Sequence, residues 1–142
     1  MRCLLGVLLA LLPVGERSLA QAQASSDTMP KQVVSRAYEA FNRHDPVAFL
    51  SHYAPVWYHT VLEDTAAAPY RQVRDENIRD FLAMKAFATK PTIKVTHRMV
   101  VGPFVIDEQV RGPDGKRHLD IFEVRHGKIV REWESSAVSA TR

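Results

Sequence analysis

From residue 93 onward the hydrophobic period of the chain is two, and turn-forming residues cut that stretch into four short segments. Gly102-Pro103 separates residues 93–101 from 104–111, Gly112-Pro113-Asp114-Gly115 precedes 117–125, and His126-Gly127 precedes 128–134. Connections this short join antiparallel neighbours, because a parallel pair needs a crossover of a dozen residues or more. Side chains alternate across a strand, so Ile93, Val95, His97, Met99 and Val101 are expected on one face of the first segment. Lys94, Thr96 and Arg98 are expected on the other. The strands are therefore half-buried and need a partner layer.

That layer lies upstream. Val33, Val34, Ala37, Tyr38 and Phe41 recur at spacings of three and four, which predicts an amphipathic helix over residues 29–42, with Pro30 near its start. Asp45-Pro46 supplies a cap and a first-turn proline for a short second helix carrying Val47, Phe49, Leu50 and Tyr53, ended by Pro55. Residues 56–62 are rich in strand formers, residues 63–72 read as a polar loop, and residues 75–88 as a third helix burying Ile78, Phe81, Leu82 and either Met84 or the stem of Lys85. Helices first and hairpins afterwards predict an α+β fold with the helices packed on one face of a curved antiparallel sheet.

The N-terminus has the form of a secretory leader: Arg2, an apolar run over residues 3–14, then small residues up to Ala24. The expected organisation is a signal peptide over residues 1–24 and one domain over 25–142, periplasmic or secreted. The apolar run falls short of the roughly 20 residues that cross a bilayer, so no permanent membrane anchor is expected. Cys3, the only cysteine, lies within the leader, which leaves the processed chain without disulfides, zinc thiolates or a cysteine nucleophile. Its basic and acidic residues are nearly balanced and spread along the sequence, so nucleic acid is not an expected partner.

Asp120 is the candidate for chemistry. It shares a strand face with His118, Phe122 and Val124, while Leu119, Ile121, Glu123 and Arg125 share the other face. If the Phe122 face is interior, a carboxylate there needs a partner or a raised pKa, which is how a general acid or base is made. The alternative is a structural aspartate bonded to a backbone amide or an arginine. His59 and His97 are candidate bases by their ordinary pKa near neutrality, or else packing residues. Asp107 and Glu108 are adjacent, so only one of them can enter a pocket. No helical His-x-x-x-His or thiolate pair supports His118 and Asp120 as metal ligands, and no metal is expected.

The strings AYEAFNRHDPVAFLSHYAP and DIFEVRHGKIVREWE, with the helix around Ile78 and Phe81 between them, resemble the SnoaL-like branch of the nuclear transport factor 2-like superfamily. The resemblance implies a cone-shaped α+β fold enclosing an apolar pocket, often as a homodimer packed through the sheets. It includes cyclases, ketosteroid isomerases, epoxide hydrolases, dehydratases and proteins without known catalysis. By that resemblance Asp120 corresponds to the strand aspartic acid that holds the enolate oxygen in ketosteroid isomerases, and Tyr38 to a helix-borne phenol donor. The isomerase base aspartate has no counterpart, since Tyr58-His59-Thr60 stands in its place. Tyr53, Trp57, Tyr58, Phe81, Met84, Phe104, Phe122 and Trp133 are the expected pocket lining. The expected activity is cofactor-free proton transfer on a small hydrophobic carbonyl compound, of isomerase, cyclase or lyase type. The alternative is a non-catalytic module that binds a hydrophobic ligand or dimerises.

Overall fold

The computed structural model describes residues 16–64, 66–84, 86–112 and 115–135, with backbone alone at 16–28, 84 and 86. The apolar run of the expected leader lies outside the described residues. Among them, no helix is long and apolar enough to cross a membrane.

Helix α1 (Glu16–Asn42) buries Val33, Val34, Ala37 and Tyr38 as the three-and-four spacing predicts, with Phe41 partly buried against the core and Ala40 buried as well. It begins earlier than the expected start near Met29, so Pro30 lies inside it; the alanines and glutamines of residues 20–24 are good helix formers. The helix stops where His44 takes a left-handed conformation, φ 57°. One residue on, the Asp45 carboxylate accepts a 2.9 Å bond from the Ala48 amide and starts α2 (Pro46–Ser51). Strands β1 (Tyr53–Val61) and β2 (Tyr70–Val73) follow, then α3 (Arg74–Met84) and a 3₁₀ turn (Ala86–Thr89). Strands β3 (Ile93–Val101), β4 (Phe104–Arg111), β5 (Lys116–Arg125) and β6 (Lys128–Glu134) complete the chain.

The six strands form one curved, unclosed sheet in the order β2-β1-β6-β5-β4-β3. It is the expected α+β architecture with four corrections. The sheet is mixed, because β1 lies parallel to β6, a pairing that the long intervening chain permits. Residues 70–73 of the expected polar loop form β2, too short to show a period, and Tyr53 opens β1 rather than closing α2. The third helix ends at Met84, with the 3₁₀ turn taking the rest of its expected length.

Irregularities in register decide which side chains face the helices. The β3–β4 pairing shifts between Val95 and His97, and the β5–β6 pairing shifts so that Glu123 opposes Arg131 while Val124 opposes Ile129. Each extra residue bends its strand and reverses the inward phase beyond it. The core beneath α1 is built from Leu50, Tyr53, Trp57, Val105, Phe122, Val124 and Ile129. Two polar clamps fasten α1 to β3. Asn42 both donates to and accepts from the Ile93 backbone, at 2.8 and 2.7 Å, and Arg98 reaches Ser35 at 2.5 Å while forking onto buried Asp107 with two 2.6 Å bonds.

Candidate functional site

Between the sheet and the helices is a partly open cavity of about 190 Å³. Phe41 of α1, Phe49 of α2, Phe81 of α3 and Phe87 of the 3₁₀ turn supply its apolar side, with ring centroids 5.1–5.6 Å apart where they touch. Its polar wall is the sheet: His59 of β1, Arg111 of β4, Asp120 of β5, and Glu132 and Glu134 of β6. Strand register assembles that wall. Asp120 stands directly opposite Glu134, and Glu132 stands opposite Phe122 on one side and His59 on the other.

Asp120 is 1 % exposed, which places the Phe122 face of β5 inside. Its Oδ2 accepts from the Tyr38 phenol at 3.2 Å, from Arg111 at 2.8 Å and from the Gln109 amide, while Oδ1 is buried and takes no hydrogen bond among the described residues. Burial raises its pKa to about 6 against the opposing pull of Arg111, with Glu134 adding to the rise. Burial likewise raises Glu132 to about 7, helped by the charge of Asp120; its carboxyl accepts a hydrogen bond from the Tyr53 phenol at 3.2 Å. Glu134 behaves oppositely. Burial pushes it up, but the bond from His59 at 3.3 Å and the contact with Arg111 outweigh that and hold it at about 2. The same bond to Glu134 raises His59 above its ordinary value, against its partial burial.

The wall therefore carries an ion cluster, His59–Glu134–Arg111–Asp120, whose Asp120 is pushed up to about 6, and beside it Glu132, pushed up to about 7. Tyr38 and Tyr53 are buried phenols pushed well above their usual range by desolvation, and then by Asp120 and Glu132 respectively, so they act as donors and not as bases. No group of three or more His, Cys, Asp or Glu among the described residues is arranged to hold a metal ion.

Of the residues singled out from sequence, Tyr38, Tyr53, His59, Phe81 and Asp120 line the cavity together. Trp57 and Phe122 are core residues behind it, Trp57 tilted against Tyr53 at 4.8 Å and Phe122 edge-on to Tyr38 at 5.7 Å. Four expectations are corrected. His97 is exposed on the outer face, because the shift after Val95 turns it away and brings Arg98 inward. Tyr58 faces outward against Arg131, since its neighbours Trp57 and His59 take the inward positions. Phe104 and Trp133 pair with each other at 6.4 Å on the outer face. The β6 shift is why Trp133 turns out while Glu132 and Glu134 turn in. The Met84 side chain and Lys85 lie outside the described residues.

Sequence reasoning missed Gln109, Arg111 and Glu132. In β4 the inward positions beyond Val105 are Asp107, Gln109 and Arg111, whereas Phe104, Ile106 and Val110 face out, the reverse of an ordinary amphipathic strand. The signal that finds them is register: Asp107 pairs with Asp120, so an inward Asp120 makes every second residue of β4 inward as well.

The sequence profile of the SnoaL-like domain family matches residues 34–132. No curated protein sequence matches the chain. Among solved structures, a SnoaL-like protein of unknown function from Burkholderia thailandensis is 17 % identical, with a TM-score of 0.60, covering 79 % of this chain and 96 % of its own. A candidate ketosteroid isomerase from Kribbella flavida is 13 % identical, with a TM-score of 0.60 over 82 % of this chain and 85 % of that one. IdmH, a candidate polyketide cyclase from Streptomyces antibioticus, is 22 % identical, with a TM-score of 0.55 over 74 % and 89 %. At these identities the likeness is one of fold.

Proposed function

Since the chain belongs to the SnoaL-like family, we propose that it is an exported enzyme that moves a proton on a small apolar carbonyl compound without a cofactor, in a reaction of isomerase, cyclase or lyase type. The observation that carries this reading is the Asp120–Glu132 pair: two carboxyl groups on adjacent strands, in one cavity, titrating at about 6 and about 7. A base works best ionised and an acid protonated at the same pH, and the pair meets both conditions between those values.

The hydrogen bonds divide the roles. Three donors on Oδ2 favour ionised Asp120, the carboxylate that takes the proton from the carbon beside the carbonyl. Glu132, with no cation bonded to it among the described residues and a phenol on Oε2, is the group that protonates the carbonyl oxygen as the enol forms. Return of the proton from Asp120 to a different carbon, as the enol O–H gives its proton back to Glu132, completes an isomerisation. Attack of the enol carbon on a second carbonyl, whose oxygen takes the proton from Asp120 while the enol O–H reprotonates Glu132, completes a cyclisation. Tyr38 is committed to Asp120, so its part is to hold the base and not to donate to the substrate. His59 holds Glu134, which in turn fixes Arg111 behind Asp120.

The leader-like N-terminus supports export. Exposed Met99, Val101, Tyr58 and Leu119 on the outer sheet face support a homodimer through that face. The test of function is exchange of the α-hydrogens of cyclohexanone in D₂O, followed by proton NMR. The expected result is exchange faster than in buffer, slowed about 100-fold or more by Asp120→Asn or Glu132→Gln. Exchange at the buffer rate contradicts the reading and favours a binding module.

A further inference from the structure

The cavity has a second charged feature that the proton-transfer scheme leaves unused. Lys90 lines it, with its Nζ 5.8 Å from the centroid of the Phe81 ring, and no carboxylate lies within ion-pair distance of that ammonium among the described residues. A chain of ring contacts runs from there to the acid–base pair. Phe81 touches Phe87 at 5.2 Å, Phe87 touches Phe49 at 5.6 Å, Phe49 touches Tyr53 at 5.1 Å, and the Tyr53 phenol holds Glu132 at 3.2 Å. The lining is thus a cation, a run of aromatic faces, and then proton-exchanging carboxyls.

Size narrows the occupant further. A dry cavity of about 150 Å³ takes benzene, so about 190 Å³ holds a single ring, or a chain of similar bulk, with a few polar atoms. A neutral ketone of that size satisfies Glu132 and the aromatic side but offers Lys90 no charge to pair with beyond its contact with the Phe81 ring. A carboxylate at the far end of the same skeleton meets it, partly shielded from water, where a charge-assisted hydrogen bond is stronger than at an open surface.

We propose that the site selects small oxo acids, single-ring or short-chain, whose carboxylate is bound by Lys90 while the carbonyl lies against Glu132 and Asp120. The carbonyl placement rests on the acid–base reading given above; the carboxylate placement rests on Lys90 alone. Lys90 is a specificity-determining residue and takes no part in proton transfer.

The test is calorimetric binding of 4-oxocyclohexanecarboxylate and of its methyl ester to the wild type, Lys90→Met and Lys90→Arg, with deuterium exchange into both compounds followed in parallel. Lys90→Met keeps an apolar stem over Phe81, and an unchanged melting temperature verifies its fold. The expected result is that the acid binds about tenfold tighter than the ester, the worth of one charged hydrogen bond. That preference should vanish in Lys90→Met, persist in Lys90→Arg and shrink with added salt. Equal affinity for acid and ester in the wild type, an unaltered preference in Lys90→Met, or no binding of the acid overturns the proposal. The two claims fail separately. Lys90-dependent binding of the acid without exchange removes the proton-transfer reading and keeps the anion site. Exchange equally fast for acid and ester, and indifferent to Lys90→Met, does the reverse.

Discussion

Asp120 and Glu132 owe their raised pKa values chiefly to loss of water, and that has a thermodynamic signature apart from catalysis. A carboxyl whose folded pKa is raised holds its proton more tightly in the native state. Its contribution is therefore greatest below the unfolded pKa, and is lost as pH rises from 3.8 to about 6 for Asp120 and from 4.5 to about 7 for Glu132. Glu134 has the opposite sign: its contribution is present above 4.5 and lost as pH falls toward about 2. Replacing Glu132 with Gln keeps the shape and removes the titration. The variant should gain stability relative to wild type at pH 8, on the order of 1–3 kcal/mol, and little at pH 4. Urea denaturation at the two pH values measures it, and an equal effect at both would show that Glu132 does not titrate on folding. Tyr53→Phe removes the hydrogen bond to Glu132, which by its direction lowers that pKa, so the higher limb of a pH–rate profile should move upward. A profile unchanged on that limb would assign it to another group.

At the scale of elements, β3 and β6 are where sequence and structure part. The inward-facing prediction for Ile93 and Val95 and the amphipathic stripe of α1 agree with the observed burial, because regular backbone transmits the period faithfully. Beyond the register shifts it does not, and the alternation that suggested an inward His97 runs one residue out of phase, while the β6 shift turns Trp133 out of the pocket its aromatic type suggested. The same shift places Arg98 against Asp107, which is fully buried. Removing one partner of such a pair strands a charge, so Arg98→Met should cost about 3–5 kcal/mol, whereas Arg98→Met with Asp107→Leu should recover most of it. A double variant as unstable as the single one would mean that Arg98 acts through Ser35 and α1 instead.

Taken whole, the molecule is a curved sheet whose inner face is apolar beneath the middle of α1 and polar at the cavity, while its outer face carries exposed Met99 at 48 % and Val101 at 56 %. The α+β class, the order of helices before hairpins, and the cavity residues Tyr38, Tyr53, His59, Phe81 and Asp120 were legible from spacing and resemblance. Arg111 and Glu132 were not, since a polar inward strand face looks like a solvated one until register ties it to Asp120. If the outer face joins two copies, native mass spectrometry will give twice the chain mass, and Val101→Glu should shift it to monomer; a wild-type monomer at micromolar concentration contradicts the dimer. The central claim concerns the inner face, and carbon-13 NMR of the Asp120 and Glu132 carboxyl carbons across pH tests it without knowledge of any substrate. Midpoints near 6 and near 7 are predicted. Two carboxyls titrating near their ordinary values, about 4, would leave the cavity without an acid–base pair.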